Sequence, residues 1–210
     1  MPEYIIWDWN GTLMNDSAAS LQAMNKVLEK YGLKLLSKER YMDIFTFPVV
    51  DYYKLAGFDL SAVQFEELSA AYVEEYSRLA LECALTDGAL ETLSYLRSKG
   101  IDQMLLSASE TGALLRQTEA LGVRTYFKHI IGADNIHAFG KIQLAVDFIS
   151  KTALKGEDGI LIGDTLHDYE TAFGIGCGCI LYFSGHQSVD RLKKCGVPVI
   201  ESIREIENLL

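Results

Sequence analysis

Short apolar runs recur along the chain, with longer segments of helical periodicity between most of them. The runs cover residues 4–7, 104–106, 130–131, 160–162 and 180–183. None of them alternates with polar residues, which is typical of strands covered on both faces of a parallel sheet. The β-α-β-α order predicts a doubly wound, Rossmann-like α/β core.

The helical segments of this core carry start and stop signals. One apolar stripe begins at Leu90, after the candidate N-cap Asp87, and stops before Gly100, a candidate C-terminal residue. A second helix is predicted to begin near Ser109. A third apolar stripe begins at Ile142, so each segment can cover one face of the sheet.

Residues 15–85 interrupt the alternation, because they predict helices and no strand. One apolar stripe has members three or four residues apart, namely Leu21, Met24, Leu28 and Tyr31. A second stripe begins at Phe65, behind the capping pattern Ser61-x-x-Gln64, and residues 45–53 between the stripes are less regular. We therefore expect an α/β core, residues 1–14 and 86–210, that carries a small all-helical insert, residues 15–85.

Composition and charge narrow the classes of partner. The 210-residue chain is 49% hydrophobic and has a formal net charge of −10. This charge argues against nucleic acid and anionic membranes as partners, and it means that a phosphate site needs local cations. The start of the chain lacks a basic segment and no apolar run is long enough to span a membrane, so we expect a cytoplasmic protein without a signal peptide.

Polar residues follow several predicted strands, at the edge of the sheet where ligands bind. Asp8 follows the first strand, Ser107 the second and Asp164 the fourth, with Asp168 in the next turn and Lys141 before the fourth strand. Three carboxylates close together cannot all stay ionised without a cation, and hard oxygen ligands favour Mg²⁺. The sequence therefore predicts a site for Mg²⁺ and phosphate in which a carboxylate can act as nucleophile.

These residues resemble the motifs of the haloacid dehalogenase-like (HAD) phosphohydrolases, and the resemblance covers nearly the whole chain. The family's first motif, D-x-D-G-T, is similar to residues 8–12, Asp-Trp-Asn-Gly-Thr, and its fourth, G-D-x-x-x-D, is matched by residues 163–168. The second motif, a Ser or Thr, is matched by Ser107, and the third, a lysine, by Lys141. The first and fourth motifs are specific in combination, whereas the other two are weak alone.

The resemblance implies a role for each matched residue. Asp8 would form an aspartyl-phosphate, and Mg²⁺ would be bound by Asp8, Asp164, Asp168 and the main-chain carbonyl of Asn10. The phosphate would be held by Gly11, Thr12, Ser107, Ala108 and Lys141. The insert would be the family's mobile cap, whose candidate specificity residues are Phe47, Asp51 and Tyr52.

Asn10 departs from the family's pattern, in which a second aspartate is the general acid and base. An amide cannot perform that role, which is typically worth about 10²–10⁴-fold in rate. One explanation is a substrate with a good leaving group; a phosphonate hydrolysed through a Schiff base on Lys34 or Lys54 is a weaker variant. Another is a proton donor elsewhere, such as His137 or His167. A third is a protein that binds a phosphorylated ligand and turns it over slowly.

The favoured function is a magnesium-dependent phosphatase of a small phosphorylated metabolite, similar to phosphoglycolate phosphatases, although no residue specifies glycolate. The alternatives are a hydrolase of acyl phosphates, phosphoanhydrides or phosphonates, and a non-catalytic regulator that binds a phosphorylated ligand. We expect a monomer or a homodimer.

Overall fold

The computed structural model describes residues 1–133, 140–183 and 185–210 and has a parallel sheet at its centre. The strands of these described residues are β1 (Tyr4–Trp7), β2 (Asp102–Glu110), β3 (His129–Ala133), β4 (Gly159–Gly163), β5 (Gly178–Tyr182) and β6 (Val199–Ile200). Their order across the sheet is β3-β2-β1-β4-β5-β6, and all neighbours are parallel. The doubly wound, Rossmann-like fold class is confirmed.

Helices flank this sheet and form the insert. The insert contains α1 (Ser17–Lys30), α2 (Lys38–Ile44), α3 (Val49–Ala56) and α4 (Phe65–Leu79). The core contains α5 (Ala89–Ser98), α6 (Thr111–Ala120), α7 (Lys141–Ser150), α8 (Leu166–Ile175), α9 (Val189–Leu192) and α10 (Ile206–Leu209). Across the described parts of the chain, no helix is both long and apolar enough to cross a membrane.

Alternate residues of β1 face two separate apolar layers. Ile5 and Trp7 pack in a cluster with buried residues of α5 and α6, whereas Tyr4 and Ile6 pack in another with buried residues of α7 and α8. The strand is fully buried on both faces, which explains why its sequence is continuously apolar.

The insert has an apolar core of its own. Every residue from 15 to 85 is described, and within this range the chain forms helices and no strand. The insert contributes the buried members of the cluster Met24, Val27, Leu28, Leu36, Tyr41, Met42, Ile44, Tyr52, Tyr53, Ala56, Phe58 and Leu68. The division of the chain into a core and a cap stays a prediction.

Some predicted boundaries are wrong. Residues 49–53, expected to be irregular, begin α3, whose buried face is aromatic. Gln64 rather than Ser61 precedes α4, because the hydroxyl of Ser61 donates to Oδ1 of Asp59 instead of capping the helix. The N-cap of α5 is Gly88, whose φ of 82° suits glycine.

Candidate active site

The strand ends bring the predicted acidic residues together. Trp7 of β1 pairs with Ile162 of β4, so Asp8 and Asp164 emerge side by side from the sheet. Each of three carboxylates, from Asp8, Asp164 and Asp168, offers one oxygen that lies within 4.8 Å of the others. All three side chains are buried. The arrangement concentrates negative charge in a region with little solvent to screen it.

Lys141 supplies the positive charge nearest to this cluster. It is the first residue of α7, and it is 3% exposed. Its Nζ donates to Oδ1 of Asp8 at 2.5 Å and also to Oδ1 of Asp168. One buried ammonium group therefore joins the end of β1 to the first turn of α8.

Asp168 is held by the helix on which it lies. Its Oδ2 accepts hydrogen bonds from the hydroxyl of Thr165 at 2.6 Å and from the main-chain N–H groups of Thr165 and Asp164. The hydroxyl of Thr165 in turn accepts from the N–H of Asp168, which completes a capping box at the start of α8. The four-residue spacing of the acidic pair thus places one carboxylate before the helix and the other inside its first turn.

Asp164 lies against two glycines and a loop N–H group. Its Oδ2 accepts from the N–H of His186 at 2.5 Å. A Cβ atom at Gly11 would lie 2.5 Å from this oxygen, and one at Gly185 would lie 1.9 Å from it. Gly11 also has a φ of 74°, which other residues rarely adopt. Glycine is therefore required at both positions if Asp164 is to keep its place.

Burial and neighbouring charges act in opposite directions on the pKa values of the three carboxyl groups. Burial, together with the neighbouring carboxylates, raises the pKa of Asp8 to about 6 and that of Asp164 to about 8, against the opposing effects of Lys141 and His186. Burial also opposes ionisation of Asp168, but Lys141 and Thr165 hold its pKa below the usual value. Oδ2 of Asp8 is buried and has no hydrogen-bond partner among the described residues. An unpartnered carboxylate oxygen beside two further carboxylates fits a hard divalent cation such as Mg²⁺.

The side chain of Asn10 has a partner for each of its polar atoms. Its Oδ1 accepts from the hydroxyls of Ser109 at 2.8 Å and Ser107 at 3.3 Å. Its Nδ2 donates to Oδ2 of Asp16 at 2.9 Å and to the hydroxyl of Tyr76 at 2.7 Å. The amide is thus fixed in place, and it has no acidic proton to transfer.

Asp16 and His186 belong to the same network, and neither was predicted from the sequence. Nε2 of His186 lies 3.6 Å from Oδ1 of Asp16, which also accepts from the N–H of Gly11 at 2.6 Å. Nδ1 of the same ring lies 2.5 Å from the hydroxyl of Tyr41. Burial favours a neutral ring, but the bond to Asp16 and the charge of Asp164 raise the pKa of His186 to about 9.

The predicted phosphate-binding residues lie around this cluster. Ser107 and Ala108 line the cavity that contains Asp8, and Ser107 is 2% exposed. The hydroxyl of Thr12 points to Oδ1 of Asp164 at 3.4 Å, so it orients a carboxylate in this structure. Gly11 lies between Asp16 and Asp164, as its contacts show.

The cavity has a volume of about 800 Å³ and extends from the cluster to the insert. Phe47, a predicted specificity residue, lines it and stacks on His167 with ring centroids 4.7 Å apart. Tyr52 is 2% exposed in the core of the insert and does not line the cavity, whereas its neighbour Tyr53 does. Asp51 is likewise absent from the described lining and pairs with Lys54 at 2.8 Å.

The other candidate residues for proton transfer or a Schiff base lie in different places. His167 lines the cavity, and its Nδ1 faces Glu170 at 3.3 Å. Neither Lys34 nor Lys54 is in the described lining. His137 lies outside the described residues.

Comparison with known proteins finds one family model that matches most of the chain. The model of the haloacid dehalogenase-like hydrolases matches residues 5–182. The phosphoglycolate phosphatase of Pseudomonas fluorescens is 24% identical over 194 residues, which are 89% of this chain and 71% of that protein.

Two solved structures are similar over nearly their whole length. The tyrosine kinase PtkA of Mycobacterium tuberculosis has a TM-score of 0.83 at 22% identity, with 99% of this chain and 97% of that chain covered. A predicted phosphatase of Clostridium acetobutylicum has a TM-score of 0.82 at 20% identity, with 100% and 98% covered. At these identities the two structures show a shared fold.

Proposed function

The chain belongs to the haloacid dehalogenase-like hydrolase family and is a phosphohydrolase, and we propose that it acts through an aspartyl-phosphate on Asp8 with the help of Mg²⁺. The observation that carries the proposal is the buried cluster of Asp8, Asp164 and Asp168 with Lys141 between two of them. Its substrate is a small phosphorylated metabolite, as in the relatives named phosphoglycolate phosphatase.

The Mg²⁺ ion would be held by the carboxylates of Asp8, Asp164 and Asp168 and by the carbonyl of Asn10, where it would neutralise charge on the phosphoryl oxygens. Lys141 would lie beside the same oxygens, with Ser107 as a hydrogen-bond donor. The carboxylate of Asp8 attacks phosphorus, and the bond to the leaving oxygen breaks with its electron pair on that oxygen, which takes a proton from water. Water then attacks the phosphorus of the aspartyl-phosphate, which releases orthophosphate and restores the carboxylate.

A second candidate is hydrolysis of substrates with good leaving groups, such as acyl phosphates or phosphoanhydrides. Asn10 favours this candidate. Each polar atom of its amide already has a hydrogen-bond partner, and the amide cannot protonate a leaving oxygen. Both candidates use the same nucleophile and differ only in what leaves.

The test is phosphate release with and without Mg²⁺ from a panel of monoesters, acyl phosphates and pyrophosphate. We expect Asp8→Asn to abolish release from every member of the panel while its circular dichroism spectrum stays native. The matched control is Asp147→Asn, which alters an exposed aspartate of α7. Turnover that survives in Asp8→Asn would exclude Asp8 as the nucleophile.

A further inference from the structure

Most of the exposed surface that lines the active-site cavity is apolar. Its aromatic lining comes from the insert: Phe45, Phe47, Tyr72 and Tyr76 are half-buried, whereas Tyr53 is 1% exposed and contributes little surface. The hydroxyl of Tyr72 bonds with Ser20 at 2.6 Å and that of Tyr76 with Asp16, so these polar tips already have partners. The rings therefore offer mainly apolar surface to a ligand, and the volume exceeds what a phosphate group alone would fill.

The cationic and histidine side chains of the described lining each face a carboxylate of this chain. The pairs are Lys141 with Asp8 and Asp168, Arg116 with Glu110, His167 with Glu170, and His186 with Asp16. Of these, Lys141 is the cation that the proposed function assigns to the phosphate. A carboxylate on the leaving group, such as that of glycolate, would have to draw Arg116 away from Glu110 or a histidine away from its carboxylate. An uncharged leaving group avoids this competition and the cost of burying a second charge.

Asn10 adds an independent constraint on the leaving group. Position 10 cannot donate a proton, so a group that is stable as an anion departs more readily than one that needs protonation. A phenol, with a pKa of roughly 10 as in tyrosine, is a far stronger acid than an aliphatic alcohol. An aromatic ring attached through oxygen thus suits both the apolar wall and the amide.

We propose that the substrates are aryl phosphate monoesters, whose ring lies against the aromatic wall of the insert and whose phosphate lies at Asp8. The inference rests on the proposed function and specifies its substrate class. Asp8 attacks phosphorus, and the phosphorus–oxygen bond breaks with its electron pair leaving on the phenoxide, which takes a proton from water. A second water hydrolyses the aspartyl-phosphate, so that aryl phosphate and water give a phenol and orthophosphate.

The test compares phenyl phosphate, benzyl phosphate and phosphoglycolate with Mg²⁺ present. Phenyl and benzyl phosphate both carry a ring, but only the first releases a phenol. We expect kcat/KM for phenyl phosphate to exceed that for benzyl phosphate by about 10²-fold or more, the typical value of the missing acid, and phosphoglycolate to be the poorest. Equal or faster hydrolysis of benzyl phosphate or phosphoglycolate would overturn the inference and leave the proposed function intact. No phosphate release from these three substrates would overturn the inference, and no release from the wider panel of monoesters, acyl phosphates and pyrophosphate would overturn the proposed function as well.

Two variants test the role of Asn10 and the role of the aromatic wall separately. In the swap Asn10→Asp/Asp16→Asn, an acid replaces the amide and the hydrogen bond between the two side chains is kept in reverse. We expect it to narrow the ratio of phenyl to benzyl phosphate, and an unchanged ratio would contradict the role given to Asn10. Phe47→Ala should raise KM for phenyl phosphate more than KM for acetyl phosphate, which has no ring; equal increases would contradict ring binding by the wall.

Discussion

At the scale of single residues, Asn10 and Asp16 act as a pair. Their side chains are joined by a hydrogen bond of 2.9 Å, and Asp16 is 1% exposed. Surrounding donors, with His186 foremost, hold the pKa of Asp16 below its usual value in spite of burial. The residue at position 10 must therefore be a donor toward an ionised carboxylate, and this requirement explains why an amide is stable there.

The hydrogen bond between Asn10 and Asp16 predicts that a single variant loses stability that a double variant recovers. Asn10→Asp alone puts two carboxylates at hydrogen-bond distance and should lower the free energy of unfolding by about 1–3 kcal/mol, the usual cost of a buried polar group without its partner. The double variant Asn10→Asp/Asp16→Asn restores a donor and should recover most of this loss. Urea unfolding near neutral pH measures both values. A single variant as stable as the native protein would show that the pair does not constrain position 10.

The carboxylate cluster predicts that Mg²⁺ stabilises the protein more at higher pH. Since the pKa of Asp8 is raised to about 6 and that of Asp164 to about 8, the metal-free folded state holds protons that the unfolded state has lost. The free energy of unfolding of the metal-free protein should therefore fall as pH rises from about 4, the ordinary carboxyl pKa, to about 8. The pKa of His186 is raised to about 9, so this residue also makes the folded state less stable as pH rises above about 6.5, the ordinary histidine pKa.

Bound Mg²⁺ would take the place of those protons. We expect the increase in Tm on adding Mg²⁺ to be larger near pH 8 than near pH 6, as measured by calorimetry of protein first stripped with a chelator. Asp164→Asn should reduce this difference. An equal increase at both pH values would argue against metal binding by these carboxylates.

Much of the site could be inferred from residues that follow strands, but part of it could not. Asp8 and Asp164 can be inferred because they follow parallel strands, whose ends meet at one edge. Lys141 begins α7 and is predicted instead from its place before the fourth strand and from the resemblance. The same reasoning applied to β5 would have pointed to His186, which follows that strand after a few residues. Asp16 carried no such signal, because a single aspartate before a helix is far more often a cap than part of a buried network.

At the scale of secondary structure, the capping box of α8 links helix stability to the site. Thr165→Val removes the hydroxyl that bonds to Asp168 and should cost about 1 kcal/mol of stability. It should also weaken Mg²⁺ binding, because Asp168 loses one of the groups that orient it. Thr165→Ser keeps the hydroxyl and is the matched control. Calorimetric titration with Mg²⁺ gives the affinity, and equal affinities in the two variants would contradict the link.

The elements that were predicted correctly are those whose pattern is continuous. Strands such as β1 and β4 are apolar without interruption because both faces are covered. Strand β6 was missed because two residues are too few to show a period. Helix α3 was missed because its sequence is dense in aromatic residues on the side that packs in the insert, which hid the helical spacing.

At the scale of the whole molecule, the insert is held against the core near the site. Nη1 of Arg191, in the short helix α9, donates to the carbonyls of Met42, Asp43 and Phe45 at 3.2, 3.1 and 2.6 Å. The ring of Phe45 also stacks on His186 with centroids 4.7 Å apart. Gln187 and the N–H of Ser188 also donate to the carbonyls of Phe45 and Met42. Arg191 thus helps to hold the segment that carries part of the aromatic wall, although it lies outside the active-site cavity.

Loss of this arginine should loosen the insert without changing the chemical groups of the site. In Arg191→Met we expect faster hydrogen exchange in the peptide that contains residues 42–47 and a higher KM, with a smaller effect on kcat, because the substrate would have to order the wall as it binds. The control is Arg78→Met, since that arginine is exposed and pairs only with Glu74 and Glu75 of its own helix among the described residues. If both variants exchange at the same rate, the contacts of Arg191 do not hold the insert, and its position depends instead on Gln187 and on the aromatic stacking against His186 and His167.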